Sequence, residues 1–177
     1  MSLIVGVRFK NNGKTYYFDP GTLSLQAGDS VIVETARGQE WGRVSIANTQ
    51  VDDKEVSSPL KPVVRRATKE DDERAEENER LGKEAVKITA QKVEKHKLNM
   101  KLVDAEYAFD RSKVTIFFTA DGSVKVEGVD LLKRQIRASL ENKDGGIEIK
   151  VYKLGQFELP GKTREREEEE DSDTGEE

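Results

Sequence analysis

Apolar and polar positions alternate through the first third of the chain. "LIVGVRF" at residues 3–9 reads as a strand, "NNGK" as a turn and "TYYF" as a second strand. "DPG" at Asp19–Gly21 is turn chemistry, because Pro presets φ and Gly accepts the left-handed region. "GDSVIVETARGQEWGRVSIA" then gives two strands around a Gly-containing loop at Ala36–Gln39. Four or five short strands at this spacing predict a small antiparallel β-barrel over residues 1–64. Gly28-Asp29 and Gly42 stand where the corners of an SH3-like barrel would fall. "SSPLKPVV" is a linker kept out of helix by its two prolines.

From Thr68 the period changes. Residues 65–97 read as linker and one long charged helix, with Thr68 as N-cap and Asp71 three residues on. Acids crowd the first turns and lysines the last, matching the helix dipole. An apolar stripe starts only at Leu81 and continues through Ala85, Val86, Ile88 and Val93. The polar first half is therefore expected to project, with Gly82 as a place for a kink. Residues 98–154 then read as a small helix–strand–strand–helix–strand domain that shares this helix. In "KLVDAEYAFD", Val103, Ala105, Tyr107 and Phe109 fall on one face and Asp104 and Glu106 on the other. "RS" turns the chain into "KVTIFFTA", where Ile116 and Phe118 are expected in the core and Thr115 and Phe117 on the opposite face. Val129, Leu132, Ile136 and Leu140 mark an amphipathic helix that "NKDGG" stops, and "IEIKVYKL" is the last strand. The acidic segment 155–177 is expected to be disordered.

Charge changes the picture of the whole. The net charge of −5 arises from residues 162–177, with nine acidic and three basic side chains; residues 1–161 carry about +1. The folded part is thus neither a strong polyanion binder nor an acidic protein. With no cysteine, disulfides, thiolate metal sites and a cysteine nucleophile are excluded. The start "MSLIVGVRFK" is no secretory signal, and no apolar run is long enough to span a membrane, so a cytoplasmic protein is expected.

The stretches "VGVRFK", "YYFDPG", "GDSVIVETARGQEWGRV", "SPLKPVVRRAT" and "KHKLNMKLVDAEYAFDRSKVTIFFTADG" together resemble the bacterial YaaT/RicT family over residues 1–122. That family carries the polymerase-suppressor C-terminal homology domain. The resemblance implies a non-enzymatic subunit of a small cytoplasmic complex, with small helical protein partners, that supports ribonuclease Y in messenger-RNA maturation. It implies roles in sporulation, competence and biofilm formation. The family's cysteine-rich segment, linked to an iron–sulfur cluster, does not follow "FFTADG" here, so no cluster is expected.

Among candidate chemistries, catalysis is weakly supported. His96 is the one histidine, in a lysine-rich helix end, and no G-x-S-x-G motif accompanies it. Asp104, Glu106, Asp110 and Asp121 are explained by strand alternation and turns, and no phosphate-binding glycine pattern occurs. The charged helix suits protein docking through Glu73, Glu76, Glu77 and Arg80, and reads equally as a connector. The rival reading is nucleic-acid binding through Lys61, Arg65, Arg66, Lys92, Lys95 and Lys97, with Lys101 and Lys133, Arg134 and Arg137 as further cations. Tyr16, Tyr17 and Trp41 could stack bases, although their alternation assigns them to the core.

Overall fold

A computed structural model of the chain describes residues 1–10, 13–56, 59–122, 124–137, 139–140 and 146–155. The "NNGK" turn, the start of the "SSPLKPVV" linker, most of the "NKDGG" stop and the acidic segment from residue 156 lie outside the described residues in whole or part. The chain divides into two units, taking in Met1–Arg74 and Ala75–Pro160.

The first unit is an antiparallel sheet of β1 (Ser2–Arg8), β2 (Tyr16–Phe18), β3 (Ser30–Thr35), β4 (Gly38–Val51) and β5 (Val63–Arg66). Their order is β2-β1-β4-β3-β5. One face holds the core of Val5, Val7, Phe18, Val31, Val33, Val44 and Val63, closed by Leu25. The 14-residue β4 pairs with β3 through Gly38–Arg43 and with β1 through Arg43–Val51. The expected closed barrel is not formed. The edges β2 and β5 meet at one bridge, where Asp19 N–H donates to the Lys61 carbonyl (2.9 Å) and Val63 N–H to the Asp19 carbonyl (2.8 Å). β2 is only three residues long, and Pro20 follows with no N–H to extend a ladder. The aromatics also separate. Tyr16 packs against the inner core, Trp41 is half-buried, but Tyr17 points outward and is 38% exposed.

α1 (Lys69–Lys95) begins among residues of the first unit and continues in the second. The second unit follows with β6 (Lys101–Tyr107), β7 (Lys113–Thr119), α2 (Val126–Arg137) and β8 (Glu148–Lys153). β7 is central, antiparallel to β6 and parallel to β8, with α2 as the crossover that a parallel pair requires. Ala85 and Val93 of α1 share one core with Ala105, Val114, Ile116, Leu132, Ile136 and Ile149. β7 is buried on both faces from Val114 to Phe118, so Thr115 and Phe117 are as buried as Ile116.

One expectation fails here for a local reason. Val103 was expected in the core, but it is the extra residue of a β-bulge between Leu102 and Asp104 and is 44% exposed. The bulge brings Leu102 and Ala105 onto the core side. α1 runs as one helix through Gly82. The glycine allows close approach there: a Cβ would lie 2.6 Å from the Ala105 carbonyl oxygen. One turn earlier, Asn78 Nδ2 donates to the Phe109 carbonyl (3.2 Å). Arg111, held at φ 61° in the β6–β7 loop, donates from Nε to Asn78 Oδ1 (2.5 Å).

Gly82→Ala should therefore destabilise by about 1–3 kcal/mol in urea denaturation, although alanine is the better helix former. Gly128→Ala in α2 is the control. Its Cβ would meet the flexible end of Leu98 at 3.3 Å and a Val124 methyl at an ordinary 3.9 Å, so stability should stay within about 1 kcal/mol of the parent.

Candidate interaction surface

The polar side chains that order the surface concentrate where β5 enters α1. Thr68 and Asp71 form a capping box: Asp71 N–H donates to Thr68 Oγ1 (3.2 Å), and Thr68 N–H to the Asp71 carboxylate (2.7 Å). Both terminal nitrogens of Arg65 also reach that carboxylate, one of them at 3.2 Å. The Arg65 guanidinium, helped by Thr68 and opposed by burial, holds the Asp71 pKa down to about 2. The next residue, Asp72, accepts the indole N–H of Trp41 at 2.8 Å. The Arg43 guanidinium lies over that indole, 5.3 Å from its centroid. Consecutive aspartates in the first turn thus grip strands on either side of β3, and the N-terminal part of α1 does not project as expected.

Arg66 turns the other way, donating to Asp29 (3.1 Å) and to the Ser24 carbonyl. The Asp29 carboxyl is held below its usual range, first by the Gln26 N–H and then by Arg66. Between Pro20–Leu23 and Val63–Arg66 lies a shallow groove of 680 Å³, with Val64 41% exposed beside it. Lys61, on the same edge, contributes its carbonyl to the Asp19 bridge.

Along α1, the four docking candidates divide. Glu77 and Arg80 are joined by two hydrogen bonds (3.0 and 2.5 Å), and Arg80 reaches Glu84 at 3.2 Å. Arg80 lowers the Glu77 pKa, and Glu77 in turn raises that of Arg80. Glu73 and Glu76 are exposed and carry the uncompensated charge of this stretch, while Glu79 is 3.7 Å from Lys83. Beside them burial, then the Glu84 charge, pushes the Tyr107 hydroxyl pKa up.

The six nucleic-acid candidates fall into two sets. Lys61, Arg65 and Arg66 line the β5 edge, where both arginines are already ion-paired. Lys92, Lys95 and Lys97 sit at the end of α1 in the second unit, with Lys97 leaving the helix at φ 52°. Asp104 accepts its neighbour Ala105's N–H (2.8 Å), Asp110 bonds Ser112 (2.9 and 2.7 Å), and Asp121 is exposed before Gly122 at φ 119°. These carboxylates thus serve local backbone geometry. Among the described residues no group of three or more His, Asp or Glu could hold a metal ion. An iron–sulfur cluster needs thiolate ligands, and this chain has none to offer. Sequence reasoning missed the Trp41–Asp72 and Asp29–Arg66 contacts. The pair of adjacent acids after the helix cap is the only trace of the first, and nothing in the sequence marks the second.

Residues 61–138 match the PSP1 C-terminal conserved region. Over 153 residues the chain is 44% identical to the stage 0 sporulation protein YaaT of Bacillus subtilis (strain 168). That alignment covers 86% of this chain and 56% of the relative, so the chain spans little more than half of the relative's length. The match to the family region runs past Gly122, farther than the stretches that first carried the resemblance. No solved structure matches. Among the described residues no helix is long and apolar enough to cross a membrane.

Asp71 sets a pH dependence. Its folded pKa of about 2 lies below the ordinary 3.8, so its contribution to stability is complete above about pH 4 and is lost as pH falls through about 2. Arg65 is half-exposed, which limits the effect to about 1–2 kcal/mol. Asp71→Asn should lower stability by that amount at pH 7 and flatten the acid limb of a urea-midpoint-against-pH curve.

Proposed function

We propose that this chain, a YaaT-family member over the segment it shares with its sporulation relative, is a non-catalytic, cytoplasmic adaptor in a regulatory complex of the sporulation programme. In this reading it joins small helical protein partners and supports ribonuclease Y-dependent RNA maturation, with effects reaching competence and biofilm formation. The observation that favours docking is the charged outer side of α1, where Glu73 and Glu76 face solvent. A helix that is already formed loses little conformational freedom on binding, so its charges can select a partner of opposite sign. Glu77 and Arg80 are satisfied by each other and serve to hold this side in shape.

The test is affinity purification of the tagged chain followed by mass spectrometry. Small helical proteins and ribonuclease Y should be recovered. Glu73→Lys with Glu76→Lys should reduce that recovery about tenfold while leaving the circular dichroism unchanged. Recovery of neither partner class, or recovery indifferent to the double substitution, counts against the reading.

A further inference from the structure

We propose that the outer face of the five-stranded sheet, over β2, β1 and β4, binds single-stranded RNA, with Tyr17 stacking a base and Arg8 and Arg43 taking phosphates. Strand alternation places these side chains together. Val5 and Val7 of β1 face the inner core, which turns Gly6 and Arg8 outward. Tyr16 and Phe18 likewise face inward and leave Tyr17 outside. On β4, Val44 is in the core, and the unpaired Ser45 is a bulge that puts both Arg43 and Ile46 on the outer side.

Two cross-strand rows result. Tyr17, Gly6 and Ile46 are successive partners across β2, β1 and β4, a width of about 10 Å. Gly6 raises no side chain from the middle strand: a Cβ there would stand 2.6 Å from the Thr15 methyl and 2.9 Å from Ile46. The Thr15 methyl and Ile46 close over the glycine between the two ends of the row. At its ends Tyr17 is 38% and Ile46 37% exposed. In the next row Arg8 is the direct partner of Arg43.

That arginine pair points to an anion. Like charges directly opposite each other destabilise an antiparallel pair. Neither guanidinium meets a carboxylate among the described residues: Arg8 Nε donates to Thr15 Oγ1 (3.0 Å) and Arg43 to the Gly28 carbonyl (2.9 Å). Arg43 also lies over Trp41, giving a second aromatic within the same surface. An exposed aromatic beside cations that meet no carboxylate is what single-stranded nucleic acid uses on a sheet, a base stacking on the ring and its phosphate on the neighbouring charge. The face stands on geometry alone. The choice of RNA over DNA rests on the role in RNA maturation proposed above.

The test is fluorescence anisotropy of the purified full chain with labelled oligouridylate of about 12 nucleotides and the matching oligodeoxythymidylate. Salt is varied from about 50 to 200 mM. The RNA should bind more tightly than the DNA. Tyr17→Ala should weaken binding about tenfold and Tyr17→Phe, which keeps the ring, should preserve it. Arg8→Gln with Arg43→Gln should flatten the log–log salt slope by roughly 1.4, about 0.7 for each phosphate lost. Thermal melts report whether each variant folds, and the arginine pair carries the test if a tyrosine variant does not. Absence of binding at low salt, or binding unchanged in Tyr17→Ala and in the arginine pair, overturns the proposal. Equal or tighter binding of DNA overturns the choice of RNA. Loss of a co-purifying protein in these variants without loss of RNA binding makes the face a protein interface instead. Because the titration needs no partner, it can succeed where the adaptor reading fails, and the reverse.

Discussion

Much of the first unit's surface depends on two adjacent carboxylates in the first turn of α1. Ile32 is fully buried yet lies outside the inner core, and its cross-strand neighbours are Trp41 on one side and Arg65 on the other. Asp72 holds the first and Asp71 the second. The helix start is therefore tied to two strands, β4 and β5, one on each side of β3. Each bond is charge-assisted, and acids near a helix N-terminus also meet the positive end of its dipole. The same grip fixes β5, whose short ladder to β3 is interrupted by the bulge at Val64. Without it that edge strand would be held by few backbone bonds, since its other side meets only Asp19.

Charge is arranged locally in ways that the net value conceals. The near-neutral body of the chain contains an acid-rich stretch on α1 and an unpaired arginine pair on the sheet. These two surfaces suit ligands of opposite sign. Glu73 and Glu76 face solvent because the core stripe of the helix begins only beyond them. Arg8 and Arg43 are brought together by a register that the turn sequences alone do not specify.

Elements with strong periodicity were legible in the sequence. The strands β1, β3 and β7, the capping box at Thr68 and the spacing of Leu132 and Ile136 all appear as expected. What could not be read were departures from period two. The bulges at Ser45, Val64 and Val103 each reverse which side chain faces the core, and no local signal marks an extra residue. Sheet closure depended on the length of β2, set by where Pro20 falls, and the barrel expectation failed there. Of the docking residues, sequence showed which were charged. It did not show that Glu77 and Arg80 satisfy each other while Glu73 and Glu76 remain available. Sequence offered Tyr16, Tyr17 and Trp41 together as possible base-stacking rings, and only register separates Tyr17 from Tyr16 and sets Arg8 beside Arg43.

The contact between Gly82 and the Ala105 carbonyl also acts as a ruler. At 2.6 Å from a would-be Cβ, that point on the helix admits hydrogen and nothing larger. Sliding α1 by one residue in either direction would bring Leu81 or Lys83 against the same oxygen, so the helix has one permitted position along β6. Substitutions elsewhere on its surface can change what the helix binds without changing where it lies. A lineage could thus rewrite Glu73 and Glu76 while keeping the Glu77–Arg80 pair, whereas an insertion or deletion beside Gly82 would have to move the hairpin as well.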